Sequence, residues 1–275
     1  MDNLFDGFLV QNNDYLLRKT NFILRSGRDK LHLVLDFDRT LTQGKDGSGQ
    51  DITTWHVLQN YISKEARADY WRFYKKYRPL EAQNKITETE AITWWSSILN
   101  IYRDNQLKWS DVAVNLETEM PPRTGVKELF DVCAEKKIPT IIISAGIKNL
   151  IDLWCQKHGF SPSLVLSTDL FFDSQGVVNG WDKNSLIHAL NKKEMGHEKL
   201  LEIRKRRPNT ILVSDSIHDA DMVEGGFNSL KIIIDDMRFD DFPRRDDFFE
   251  KIFKKFDLII KTGTFAPVIE ILKKI

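Results

Sequence analysis

Residues 31–42 read Leu-His-Leu-Val-Leu-Asp-Phe-Asp-Arg-Thr-Leu-Thr, a strand-length apolar run that stops at two carboxylates and a threonine. A run that apolar is expected to be covered on both faces, as in a parallel sheet flanked by helices. Strand side chains alternate with a period of two, so Asp36 and Asp38 can share one side of the sheet rim if extended geometry persists. Two carboxylates about 5 Å apart repel by roughly 3 kcal/mol at an effective dielectric near 20. Such a pair is usually tolerated when a cation or a shared proton lies between its members.

Asn13 or Asp14 is expected to cap a first helix that stops at Ser26-Gly27. Residues 43–50 hold three glycines and no apolar residue, and are expected to form a flexible connector. From about 51 to 120 the pattern becomes helical and aromatic-rich, with helices expected at 63–77, from the capping-box pair Thr87 and Glu90 to about 102, and from Ser110. Pro121-Pro122 closes this stretch. After Arg123, helices and strands alternate, with strands at 138–144, 163–167, 210–214, 230–234 and 257–260. A hairpin is expected from 170–172 and 177–181. This βα alternation predicts a parallel α/β sheet with helices on both faces. The division follows: 1–45 and 121–275 as an α/β core, and 46–120 as an inserted helical segment.

Ligands of open α/β sheets bind outside the carboxyl ends of the strands. Asp36 to Thr40, Ser144-Ala145-Gly146 and the stretch from Asp215 to Asp219 are therefore expected to meet in one cleft. Clustered acids without a His or Cys metal motif suit a hard, oxygen-ligated cation, magnesium better than zinc. Ser144-Ala145-Gly146, placed where a strand turns into a helix, can offer a hydroxyl and backbone N–H groups to an anion such as phosphate. Lys192 or Lys193 can bring a positive charge to that anion. Each of these features taken alone has an ordinary structural explanation, a helix cap or a solvated charge. Together they describe phosphoryl transfer, in which an aspartate attacks phosphorus, a cation and a lysine neutralise charge, and a second acid moves the proton.

Forty basic residues balance forty acidic ones, so no global charge favours nucleic acid or a membrane surface. No apolar run approaches the ~20 residues of a membrane helix. Residues 1–10, with Asp2 and Asp6 and no basic flank, do not read as a secretory leader. Cys133 and Cys155 read as buried free thiols, and a cytoplasmic location is expected.

The segment Asp36-Phe37-Asp38-Arg39-Thr40 resembles the Asp-x-Asp-x-Thr signature of the haloacid dehalogenase-like (HAD-like) phosphohydrolases. Ile143-Ser144-Ala145-Gly146-Ile147, the Asn191-Lys192 pair and the stretch from Asp215 to Asp219 bring the likeness closer to one branch, the cytosolic pyrimidine 5′-nucleotidases. That branch includes cytosolic 5′-nucleotidase III and its 7-methylguanosine-phosphate-specific relative. The resemblance implies a Rossmann-like core with an inserted helical cap, and hydrolysis of nucleoside 5′-monophosphates with Mg2+. It implies Asp36 as nucleophile and metal ligand, and Asp38 as general acid/base with its backbone carbonyl on the metal. It further implies Thr40, Ser144 and Ala145 on phosphate, Lys192 between nucleophile and phosphate, and Asp215 and Asp219 at the metal. Tyr77-Arg78-Pro79-Leu80-Glu81 is similar to the family stretch whose glutamate contacts the nucleobase, which points to Glu81 as base reader with Trp94 or Trp95 stacking. The expected partner is a small nucleotide, and the expected state a monomer or weak dimer.

Three departures stand out. Arg39 replaces the family's usual methionine, Ser214 stands where glycine is common, and the helical segment is shorter around 93–100. Arg39 is expected to point to solvent. Two alternatives stay open from sequence: a phosphatase for another small phosphomonoester such as phosphoserine or a sugar phosphate, and a silent binding module of the same fold. Transfer of the phosphoryl group to another nucleoside is compatible with the same intermediate.

Overall fold

The computed structural model describes residues 5–10, 13–83, 85–193, 197–234 and 246–275. In chain order the elements are β1 (Phe8–Leu9), α1 (Asn13–Ser26), β2 (Leu31–Leu35), α2 (Thr54–Leu58), α3 (Lys64–Ala82), α4 (Glu88–Asp104) and α5 (Trp109–Glu119). They continue with α6 (Val126–Glu135), β3 (Thr140–Ile147), α7 (Lys148–His158), β4 (Leu164–Thr168), β5 (Leu170–Phe172) and β6 (Val178–Trp181). The last are α8 (Glu198–Arg206), β7 (Asn209–Ser214), β8 (Ser229–Ile234), α9 (Asp246–Phe253), β9 (Leu258–Ile260) and α10 (Ala266–Lys273).

Among the described residues, seven strands form one sheet in the order β1-β9-β8-β7-β2-β3-β4. All neighbours pair in parallel except β1, which runs antiparallel along β9 through Phe8↔Ile260 and Leu9↔Ile259. That edge strand, two residues long, was not anticipated, because so short a run carries no readable period. Alternate residues of the inner strands enter two separate cores. Leu33 and Leu35 of β2, Ile142 of β3, Ile211 and Val213 of β7 and Ile232 of β8 join one core, with α1, α6, α7 and α10. Val34, Ile141, Ile143, Leu212 and Ile233 join the other, with Leu200 of α8 and Ile252 of α9. Both faces of every inner strand are thus apolar, which is why these segments read as continuous rather than alternating hydrophobic runs.

β2 sits between β7 and β3, with Leu35 beside Val213 on one side and Ile142 on the other. This register sets the first residue beyond β2 next to those that end β7 and β3. Helices α2–α5 all fall between β2 and β3. The chain enters and leaves that segment side by side, with Thr42 bridged to Pro122 and the Arg123 N–H donating to Leu41 O at 2.8 Å.

Within the segment, Ser63 caps α3 and Thr87 with Glu90 forms a complete capping box on α4. α3 outruns the expected end at Tyr77 and continues to Ala82 with Pro79 inside it. α5 begins at Trp109 rather than Ser110, and its start is tied to the β5–β6 hairpin by the Trp109 N–H donating to Gly176 O at 2.9 Å. α2, whose Thr53 accepts the N–H of His56, was not foreseen as a separate helix.

Candidate active site at the rim of the sheet

The rim is built first by the turn after β2. The Asp36 N–H donates to Val213 O at 3.0 Å, continuing the β2–β7 ladder one residue past the strand. Phe37 turns into the core against Trp154, with ring centroids 5.0 Å apart and nearly perpendicular. With Phe37 anchored inward, its neighbours Asp36 and Asp38 face the cleft. The Phe37 carbonyl accepts the N–H groups of Thr40, Leu41 and Thr42. Arg39 completes the turn in the left-handed region, φ 62°, uncommon for a residue with a side chain.

Asp36 is 3 % exposed and accepts from two groups: Lys192 Nζ at 2.6 Å on Oδ1 and Thr40 Oγ1 at 3.1 Å on Oδ2. Lys192 also donates to Asp219 Oδ1 at 3.0 Å. Carboxylate oxygens of Asp36, Asp215 and Asp219 lie within 4.8 Å of one another. Burial raises the Asp36 pKa well above its ordinary value; Lys192 opposes this, and Asp219 and Asp215 add to it. At Lys192 burial works against the charge, yet Asp219 and Asp36 outweigh it and hold the ammonium above the ordinary lysine range. Three carboxylates whose oxygens gather within 4.8 Å of one another, with no His or Cys among them, fit a hard metal ion.

Asp38 is turned away from that cluster. Its carboxylate accepts the Thr54 N–H at 2.7 Å and the Thr54 hydroxyl at 2.9 Å, and burial lifts its pKa to about 6 against those bonds. Asp36 and Asp38 therefore titrate in different surroundings, one beside lysine and acids, the other at the first turn of α2.

Ser144-Ala145-Gly146 does not form the start of a helix. β3 runs on to Ile147 with a register shift against β4 between Ile143 and Ile147, and α7 begins only at Lys148. The expected helix-start cradle is instead a bulged strand end, in which Ser144 Oγ accepts the Gly146 N–H at 3.0 Å. The Ala145 carbonyl accepts two indole N–H groups, from Trp55 at 3.1 Å and Trp95 at 3.0 Å. Gly146 must be glycine here: a Cβ would stand 2.5 Å from Thr54 Oγ1 and 3.1 Å from Ser144 Oγ.

The third strand end carries Asp215, Ser216 and a 3-10 turn at Ile217–Met222 that holds Asp219. Ser214, one of the departures, donates its hydroxyl to Asp219 Oδ2 at 2.6 Å and so aims that acid. Lys231 on β8, buried, donates to the carbonyls of Ala220 and Val223 at 2.5 and 2.9 Å, which fastens the turn to the sheet. Arg39 does not point to solvent as expected. Its side chain is only 16 % exposed, and Nε donates to Asp215 Oδ2 at 3.1 Å. An uncompensated buried acid is costly, so the guanidinium is drawn inward rather than to water.

These groups floor a cavity of about 340 Å³ whose walls come from α2, α3 and α4. Asp36, Asp38, Ser144, Ala145, Lys192, Asp215 and Asp219 line it, as do Glu81, Trp94 and Trp95 from the helical segment. Thr40 stands behind Asp36 as its hydrogen-bond donor and is fully buried. Glu81 is ion-paired with Arg78, one turn back on α3. Trp95 is held by its indole bond to Ala145, with Trp94 4.5 Å away centroid to centroid. Lys193 is exposed, so of the two lysines Lys192 is the one that reaches the cleft.

Trp55, Thr54, His56 and Tyr74 also belong to the site, and no motif in the sequence points to them; Arg78, in the stretch that ends at Glu81, lines it too. The only local signal was Thr53, a readable N-cap for α2. Burial lowers the His56 pKa to about 4, so its ring is neutral as it bonds Thr53 Oγ1 at 2.7 Å.

Comparison with known proteins gives a consistent answer. The family model described as pyrimidine 5′-nucleotidase (UMPH-1) matches residues 39–275. Asp36 and Asp38 lie just ahead of the matched segment. The 7-methylguanosine phosphate-specific 5′-nucleotidase of Mus musculus is 30% identical over 222 residues, covering 76% of this chain and 74% of that protein. The 7-methylguanosine phosphate-specific 5′-nucleotidase A of Xenopus laevis is 28% identical over 232 residues, covering 80% and 79%. Among solved structures, cytosolic 5′-nucleotidase IIIB bound to cytidine superposes with a TM-score of 0.80 over 98% of this chain and 93% of that one, at 21% identity. A substrate-bound phosphoserine phosphatase shares the fold at a TM-score of 0.56, over 90% and 98% of the two chains at 18% identity. The fold is that of the HAD-like phosphatases, and the chain belongs to the pyrimidine 5′-nucleotidase family.

Proposed function

We propose that this 5′-nucleotidase hydrolyses nucleoside 5′-monophosphates, pyrimidine or 7-methylguanosine, with magnesium and by way of a phosphoryl group carried on Asp36. The observation that carries the reading is Asp36 itself. It is a buried carboxylate gripped by Lys192 and Thr40, at the floor of a cavity with aromatic walls. Asp36 Oδ forms a bond to phosphorus as the bond to the nucleoside O5′ breaks, and the carboxyl of Asp38 gives its proton to that oxygen. Asp38 then takes a proton from water, whose oxygen attacks phosphorus and releases Asp36. A pKa near 6 lets Asp38 serve in both steps near neutral pH. Lys192, with Ser144 and the Ala145 N–H, would hold the phosphoryl oxygens and keep the group in line with Asp36.

Asp36, Asp215, Asp219 and the backbone carbonyl of Asp38 would hold the magnesium ion. When bound, the ion neutralises charge on the phosphoryl group and on the crowded acids. The helical segment 46–120 acts as the cap that excludes water, and Glu81, with Trp94 or Trp95, reads the nucleobase. The Arg78 pairing gives Glu81 a fixed orientation for accepting an exocyclic amine. No helix among the described residues is long and apolar enough to cross a membrane. A cytoplasmic location and a monomeric or weakly dimeric state complete the proposal.

The test is a panel of CMP, UMP, 7-methyl-GMP and phosphoserine, assayed with magnesium and with chelator. Nucleotides should be turned over only with magnesium, and Asp36→Asn should lose at least about 1,000-fold in kcat. Glu81→Ala should raise KM for nucleotides far more than for an aryl phosphate. Wild-type turnover by Asp36→Asn, or a preference for phosphoserine, would overturn the assignment.

A further inference from the structure

Arg39 enters the cleft but has no part in the reaction proposed above. Its backbone is held in the left-handed conformation from both sides. The Arg39 N–H donates to Thr42 Oγ1 at 2.9 Å, and the Arg39 carbonyl accepts from Arg123 Nη2. Arg123 also donates to Thr40 O at 2.9 Å and Gly263 O at 3.0 Å, so one buried arginine clamps the turn to the far end of the chain. An unfavourable backbone conformation persists where its surroundings over-determine it, as here. The result is to aim the Arg39 guanidinium at Asp215, whose side chain is 2 % exposed.

We propose that Arg39 is a positioning residue that serves as a built-in counter-ion for Asp215 and competes with the divalent cation for that carboxylate, thereby setting the cation affinity of the free enzyme. The inference rests on the metal reading given above. A guanidinium stays charged throughout the working pH range, so the competition is always present. A cation approaching the three acids meets a like charge and a carboxylate oxygen already engaged. A phosphate dianion in the same cleft attracts the guanidinium and weakens its hold on Asp215. Anion and cation should therefore favour each other's binding, and the enzyme should hold its cation weakly until substrate is present.

The test is calorimetric titration of the full chain with magnesium chloride in phosphate-free buffer, which needs no turnover. Arg39→Met, neutral and of similar length, should bind magnesium roughly tenfold more tightly than the parent, the scale of one charge-assisted hydrogen bond. Arg39→Asn, which tolerates the left-handed backbone, should tighten binding likewise and covers the case in which the methionine variant fails to fold. Arg39→Lys, keeping the charge, should stay within about twofold of the parent. Unchanged or weaker binding by the neutral variants, with binding still abolished in Asp215→Asn, would overturn the proposal and leave the metal site standing. Parental affinity in Asp215→Asn would overturn the metal reading and the proposal together.

Discussion

Asp38 shows how a single side chain couples function to stability. Burial lifts its pKa from 3.8 to about 6, so the folded protein keeps a proton that the unfolded chain has already released. Stability therefore falls as pH rises from about 4 to about 6, and the burden of the buried charge persists to pH 7. Asp38→Asn keeps an acceptor for the Thr54 N–H and removes the titration. It should be more stable than the parent at pH 7 by up to about 3 kcal/mol, with the gain gone by pH 4 in metal-free urea unfolding, while turnover is lost. No gain at pH 7 would show that the charge is already compensated. Gly146 makes the opposite case, where space rather than charge decides. A methyl group there must push Thr54 Oγ1, the hydroxyl that holds Asp38, from 2.5 Å. Gly146→Ala should cost about 1–3 kcal/mol in unfolding free energy and lower kcat at least about tenfold, with KM changed less. Asp36 and Asp38 were legible as the residues that follow an apolar strand, whereas Ser144, expected at the end of β3, lies within it. Gly146 was legible as part of a motif, but its reason, the approach of Thr54, was not.

At the scale of elements, the helical segment shows which local signals suffice. The Thr87–Glu90 capping box, read from spacing alone, is present and starts α4, the helix that carries Trp94 and Trp95 to the cavity. Thr87→Ala should lower the unfolding free energy by about 1 kcal/mol, seen as a lower urea midpoint, and leave kcat near the parent value because the cap lies away from the cleft. A large loss of kcat would mean that the helix start and the tryptophans move together. α3 runs past its expected end at Tyr77 although Pro79 lies inside it and can donate no N–H to the turn before. That extra turn delivers Arg78 and Glu81 to the cavity wall. β3 likewise continues past Ser144 as a bulged strand, because Ser167 Oγ and two indoles bond the Gly146 and Ala145 carbonyls. Partners from β4, α2 and α4 decide that local conformation, and no period in 140–147 encodes them.

For the whole molecule, the unbalanced charge at the sheet rim links ligand binding to folding. Three acids face Lys192 and Arg39, so a divalent cation that binds only the folded state should stabilise it. Magnesium at about 100 times its Kd adds roughly 2.7 kcal/mol, which in a protein this size is about 5 °C in Tm. Asp215→Asn should lose that shift in a thermal melt, and an equal shift in the variant would place the cation elsewhere. The sequence by itself determined the layered α/β core and the positions of the rim acids, because residues buried on both faces leave continuous apolar runs and the sheet collects their carboxyl ends. The resemblance points to Lys192, but it is the tertiary structure that carries it across 156 residues to 2.6 Å from Asp36 and separates it from the exposed Lys193. Only the tertiary structure turned Arg39 inward to Asp215 and brought the indoles of Trp55 and Trp95 onto the Ala145 carbonyl. The physical reason is range. Local periodicity records which face of an element is buried, whereas the partner of a buried charge or a carbonyl is set by which distant segments converge on it.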